Sequence, residues 1–139
     1  MSFLLDTCVV ASFMKPEPSS ELFNWLNSVE EERVFLSVMS LGEIQSGISR
    51  LANGQRKQNY QQWLETDFLH RFAGRLLSLG ERECINWGRI SGDASRRGAS
   101  PGILEAQIAA IAFTHGLTLV THHEEEFSDL PVSVLNPWQ

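Results

Sequence analysis

Short runs of β-forming apolar residues alternate with longer stretches of helical spacing along the whole chain. That alternation predicts a parallel sheet with helices on both of its faces. The first run is Phe3-Leu4-Leu5, which stops at Asp6-Thr7. Val34-Phe35-Leu36-Ser37-Val38, Arg75-Leu76-Leu77-Ser78-Leu79, Leu117-Thr118-Leu119-Val120-Thr121 and Val132-Ser133-Val134-Leu135 follow, so four to five short strands are expected. Parallel neighbours need crossover connections, and the helical stretches between the runs supply them. The fold class is therefore α/β, in three layers.

The helices carry their own punctuation. Cys8-Val9-Val10-Ala11-Ser12-Phe13 reads as a short helical turn ended by the Pro16-Glu17-Pro18 break. Ser19 or Ser20 can cap a helix bearing Leu22, Phe23, Trp25, Leu26 and Val29. Leu41, Ile44, Ile48 and Leu51 form the buried stripe of the next, capped by Ser37 or Ser40. Tyr60, Trp63, Leu64, Phe68, Leu69 and Phe72 mark an amphipathic helix before Gly74, and Cys84, Ile85, Trp87, Ile90 and Ala94 mark another. Glu105-Ala106-Gln107-Ile108-Ala109-Ala110-Ile111-Ala112-Phe113 is the most distinctive, because its small residues allow close packing on a sheet. Gly116 suits its C-cap.

At 139 residues the chain has the usual size of one domain, and residues 1–139 are read as a single one. The formal charge of −6 gives no global attraction to nucleic acid or to an anionic membrane. A polyanionic partner must then be met by a local basic patch or through bound cations. Lys15, Arg50, Arg56, Lys57, Arg82, Arg96 and Arg97 are the cations available for such a patch. Cys8 and Cys84 lack metal spacing and lie far apart, which points to a reduced, intracellular protein. Neither a signal-peptide pattern nor a membrane-length apolar run is present, so a cytoplasmic chain without membrane contact is expected.

Asp6, Glu43, Glu105 and the His123-Glu124-Glu125-Glu126 segment each fall just after a strand or in an early turn of a helix. In an open parallel sheet, ligands sit outside the carboxyl ends of the strands, so these groups can converge on one cleft. Each also has a plainer reading. Asp6 suits a helix N-cap, Glu43 suits a helix dipole, the three glutamates suit a solvated loop, and Asp93 suits a solvated or ion-paired acid. Clustered carboxylates repel one another, and a hard divalent cation, Mg²⁺ or Mn²⁺, neutralises them. Such an ion can activate water and stabilise charge on a phosphate during phosphodiester cleavage. The chain has no Gly-rich phosphate loop, Gly-x-Ser-x-Gly elbow, HExxH or paired CxxC. On a strand, the adjacent His122 and His123 would point to opposite sides and form no ligand pair.

Leu4-Leu5-Asp6-Thr7, Ser40-Leu41-Gly42-Glu43-Ile44 and Glu105-Ala106-Gln107-Ile108-Ala109-Ala110-Ile111-Ala112 together resemble the PIN-domain proteins. Within them, the chain is most similar to the VapC-like toxin ribonucleases of bacterial toxin–antitoxin pairs. His115-Gly116-Leu117-Thr118-Leu119-Val120-Thr121 and Leu135-Asn136-Pro137-Trp138 extend the resemblance over essentially the whole chain. It implies an α/β/α PIN fold, often homodimeric, that cleaves RNA with Mg²⁺ or Mn²⁺. A cognate antitoxin holds such an enzyme inactive with a C-terminal segment in the cleft.

Asp6 and Glu43 match the first two family acids. Glu105 stands where the family usually has Asp, His123 where Asn or Asp is usual, Cys8 where Asn is common, and Glu126 where Asp usually precedes Phe127. The extra methylene of Glu105 carries its carboxylate about 1.5 Å further out. An imidazole at 123 suits Mn²⁺ or softer ions better than Mg²⁺. Two functions are weighed: a metal-dependent endoribonuclease toxin using Asp6, Glu43, Glu105 and His123, and a catalytically weakened PIN domain serving as an antitoxin-binding or other protein-binding module.

Overall fold

In the computed structural model, which describes residues 1–15, 17 and 19–139, alternation along each strand sets up two apolar faces. Strands β1 (Phe3–Leu5), β2 (Val34–Ser37), β3 (Leu76–Leu77), β4 (Thr118–Val120) and β5 (Val134–Leu135) form one five-stranded sheet. All its pairings are parallel, in the order β3-β2-β1-β4-β5. Leu5 lies level with Leu36 and Val120, and Leu4 level with Phe35 and Leu119.

Phe3, Leu5, Val34, Leu36 and Val120 belong to one buried cluster, and Leu4 and Leu119 to the other. The first cluster is closed by α1 (Thr7–Ser12), α2 (Ser20–Ser28), α3 (Val38–Ser49) and the helical run over residues 55–71. The second is closed by α6 (Glu81–Arg96) and α7 (Ile103–His115). The expected three layers and parallel sheet are those observed.

Ser19 caps α2 by accepting from the Leu22 N–H, and Ser37 caps α3 by accepting from the Ser40 N–H at 3.2 Å. In α7, Ala106, Ile108, Ala109, Ala110, Ile111 and Ala112 are all buried, because a helix of small residues can lie close to both the sheet and α6. Gly116 ends α7 with φ +64°, a left-handed conformation that a residue with a Cβ adopts reluctantly.

Two local expectations change. Val38 opens α3 instead of ending β2. The helix expected through Phe72 is α4 (Gln55–Trp63) and α5 (Leu69–Arg71) joined by a π-helical stretch over Leu64–Phe68. Apolar spacing does not distinguish a π turn, which widens the helix by one residue while keeping Leu64 and Phe68 buried. Pro16 and Pro18, expected to break the chain after α1, lie outside the described residues. Among the described residues no helix is long and apolar enough to cross a membrane.

Candidate active site

Strand β1 lies at the middle of the sheet, and the chain first builds β2 and β3 on one side of it before crossing back to β4 on the other. Such a reversal opens a crevice at the carboxyl ends of the two central strands. Asp6 follows β1 there, and Thr121 follows β4. The Asp6 N–H donates to the Val120 carbonyl at 2.9 Å, which fixes the acid's backbone to the neighbouring strand. Asp6 Oδ1 accepts from the Thr7 N–H at 2.8 Å, making Asp6 the N-cap of α1. Its Oδ2 accepts from the Thr121 hydroxyl at 2.7 Å. The plain reading of Asp6 as a cap is met, and the residue is only 7% exposed.

Thr7 ties the second acid to the first. Its hydroxyl donates to Glu43 on α3 and also lies 2.9 Å from the Ser40 hydroxyl. Glu43 is half-buried, and its carboxyl is pushed above the usual carboxylate range. Burial is the main cause and the Thr7 hydrogen bond opposes it, while the negative charges of Asp6, Glu105 and Glu126 add to the rise. All three acids thus lie within electrostatic reach of Glu43.

Glu105, in the first turn of α7, rests its carboxylate against Gly102, where a Cβ would overlap it. The helix N-terminus favours negative charge at this place. His123 and Glu126 border the cleft and are exposed. The His123 N–H donates to Thr121 Oγ1 at 3.0 Å, so the same hydroxyl that holds Asp6 also holds the start of the 123–126 segment. The His122 N–H donates to Cys8 Sγ at 3.4 Å, and that sulfur lies 3.7 Å from Asp6 Oδ2. Burial raises the Cys8 pKa, which keeps a neutral thiol beside the acid.

Structure and sequence differ at several positions. Asp6 and Glu105 both lie within electrostatic reach of Glu43. The glutamates at 124–126 are exposed in a 3₁₀ turn (Glu124–Phe127), yet Glu126 also acts on Glu43, which a purely solvated loop would not do. His122 and His123 lie beyond β4, so strand alternation does not separate them; their rings are 5.6 Å apart. Thr7 and Thr121 were given no role in the sequence reading, although each is the hydroxyl residue adjoining a strand end and each touches an acid. Asp93 is exposed and 3.9 Å from Arg96, as an ion-paired surface acid should be.

The donor set suits a hard divalent cation, being oxygen-rich and short of positive charge, with lone pairs left on both Asp6 oxygens. Among the described residues no three Asp, Glu, His or Cys side chains are already gathered at ligating distance. Asp6 is held in place by its bonds to Thr7 and Thr121. Glu43 and Glu105 carry longer side chains, and Glu43 is tied to Thr7.

The raised Glu43 pKa has a consequence for stability. In the folded state the ionised form is disfavoured, so Glu43 contributes stability while protonated and loses it as pH rises through its folded pKa. Glu43→Gln keeps an acceptor for Thr7 and removes the charge. At neutral pH it should raise the Tm of the metal-free protein, by at most a few degrees because solvent partly screens this half-exposed carboxylate. The gain should vanish below about pH 4, where Glu43 is protonated in both states. Thermal denaturation of both proteins across pH tests this, and an equal difference at every pH would contradict it.

A three-layer α/β protein with a carboxylate-lined crevice at the switch point of its sheet is the class defined by this geometry. The chain belongs to the PIN domain family, whose model matches residues 3–132. It is 34% identical over 135 residues to Toxin FitB of Neisseria gonorrhoeae, covering 97% of each chain. It is 27% identical over 136 residues to VapC ribonuclease Y4jK of Sinorhizobium fredii, covering 98% of this chain and 97% of that one. The crystal structure of FitAcB from Neisseria gonorrhoeae contains a chain that superposes with a TM-score of 0.93 at 34% identity, over 99% of both.

Proposed function

We propose that this protein is a divalent-metal-dependent endoribonuclease and the toxin of a toxin–antitoxin pair, folded as one PIN domain over residues 1–139. Asp6, Glu43 and Glu105 hold Mg²⁺ or Mn²⁺, and His123 borders the same cleft. The observation that carries this reading is the hydrogen-bonded pair of acids at the end of β1: Thr121 and the Thr7 N–H hold Asp6, the Thr7 hydroxyl holds Glu43, and Glu105 and Glu126 lie within electrostatic reach of Glu43. A protein does not gain stability from such a cluster, so a cationic ligand is the physical reason to keep it. When bound, the ion supplies Lewis-acid stabilisation of the phosphate and a more acidic water. The protein's own part is positional. Thr121 and the Thr7 N–H hold Asp6 still, the Thr7 hydroxyl orients Glu43, and Glu105 has the reach to move between Gly102 and the cleft.

The relatives named as a toxin and as a VapC ribonuclease support the RNA substrate and the antitoxin partner. A homodimer is proposed on the family resemblance. The surface open to an antitoxin includes an apolar cavity of about 630 Å³, lined by Phe13, Phe23, Leu26, Trp63, Phe68 and Phe72 among others. Phe13 and Phe23 there are 42% and 55% exposed, as unpartnered contact residues would be.

The test is cleavage of a mixed RNA pool by the antitoxin-free protein in Mn²⁺, Mg²⁺ or EDTA. Cutting should need the metal. Glu105→Asp, which draws the carboxylate back by one methylene, should increase it several-fold. No cutting by the parent or by Glu105→Asp combined with His123→Asn would instead favour a protein-binding module.

A further inference from the structure

Beside the acids stands a group of aromatic rings that phosphodiester chemistry itself does not require. The His122 ring lies 4.6 Å from the Trp138 ring at 63° and 5.6 Å from the His123 ring at 51°. Both imidazoles are exposed, and Trp138 is half-buried. The group is anchored rather than loose. The backbones of His122 and His123 bond to Cys8 and Thr121, the two side chains next to Asp6. The Trp138 N–H donates to Asn136 Oδ1 at 2.9 Å, and the indole packs on the first core. Just before it, the Leu135 carbonyl accepts from the Thr121 N–H at 3.0 Å, so the two ring-bearing segments leave adjacent strands.

We propose that His122, His123 and Trp138 form a stacking platform for an unpaired nucleobase flanking the scissile phosphate. This rests on the nuclease reading above and adds a binding surface for the substrate, with the residues that make it. Electrostatics favour it. The net charge is −6, and Glu124, Glu125 and Glu126 adjoin the rings, so this side of the cleft cannot draw RNA by its phosphates. The faces of the bases, which stack on aromatic rings whatever the sequence, give this side of the cleft an attraction that needs no positive charge. A base held in a duplex must first leave its stack, which costs free energy that a single strand is spared.

The test is the binding of a fluorescein-labelled single-stranded oligoribonucleotide in Mg²⁺, read by anisotropy on an Asp6→Asn background so that nothing is cut. Added to it, Trp138→Ala or His122→Ala should weaken binding by about 5- to 150-fold, the range measured for loss of one stacked base. Trp138→Phe should restore most of it. His122 is exposed, so its variant separates stacking from any loss of fold in Trp138→Ala. An abasic nucleotide at one position in the strand should reproduce the loss and add nothing to Trp138→Ala. A duplex of the same sequence should bind more weakly than the single strand. RNA binding indifferent to these rings and to the abasic site overturns the platform alone. Antitoxin binding lost in Trp138→Ala with RNA binding intact assigns the rings to the protein partner and also overturns it. A background protein that binds no single-stranded RNA with or without Mg²⁺, although its Tm matches the parent's, overturns the nuclease reading and the platform together.

Discussion

Asp6→Asn is expected to abolish metal-dependent RNA cleavage in a protein that stays folded, whereas Asp6→Ala abolishes cleavage and also lowers Tm. Asn keeps an oxygen for the Thr7 N–H and so keeps the cap of α1. Its amide nitrogen can donate to Thr121 Oγ1, reversing the bond that Asp6 now accepts from it. The lost charge also relieves Glu43, so the Asn variant should be at least as stable as the parent in the absence of metal. Ala leaves α1 uncapped, at about 1 kcal/mol, and the buried Thr121 hydroxyl without its acceptor, at about 1–3 kcal/mol more. Both variants should lose at least about 10²-fold in cleavage rate, the scale for removing one preorganised electrostatic group. Cleavage assays beside thermal denaturation check this. Full activity in Asp6→Asn would remove Asp6 from the chemistry.

Phe127→Ala should be among the most destabilising single changes. The ring is 1% exposed in the second core, beneath the turn that carries His123 and Glu126. Removing it costs the burial of the ring and leaves a cavity, together about 3–5 kcal/mol. At this chain length that corresponds to a fall in Tm of about 10 °C or more. Phe127→Leu should recover over half of the loss. The turn is held to its neighbours by short backbone bonds, Glu126 N–H to the His123 carbonyl and Leu130 N–H to the Phe127 carbonyl, each 3.1 Å. Without the ring below, the turn should lose its fixed place, and cleavage should fall even well below the variant's Tm. Calorimetry and activity at a low temperature separate the two effects. A Tm within a few degrees of the parent would show that the turn is not held by its aromatic anchor.

Much of the architecture was legible because local rules and tertiary demands agree. Phe3-Leu4-Leu5 and Leu117-Thr118-Leu119-Val120-Thr121 read as strands since both faces of a central parallel strand are buried, leaving continuous apolar runs. Gly116 marked the end of α7 because a left-handed C-cap excludes most other residues. The π-helical stretch at Leu64–Phe68 escaped notice for the opposite reason. Its rings pack in sequence, Trp63 on Phe68 and Phe68 on Phe72 at 5.0 Å each, and an ordinary helix would present the same apolar residues.

The site was legible in part. Asp6, Glu43, Glu105 and Glu126 were visible as acids at element ends, while Thr7 and Thr121 carry no signal that separates them from ordinary turn residues. A hydroxyl's partner is set by what stands across the crevice, which one stretch of sequence does not contain. Strand alternation does not apply to the ring pair His122 and His123 because β4 stops at Val120, one residue before the end of the expected strand.

By itself, the sequence determined that short buried strands alternate with helices and that acids stand where strands give way to helices, since periodicity and caps act over a few residues. Which strand ends meet was decided only by tertiary structure. The bond from Thr121 to Asp6 spans 115 positions, and it exists because β4 returns beside β1. Backbone hydrogen bonds between strands carry no residue identity, so that pairing follows from how the helical layers cover both faces of the sheet.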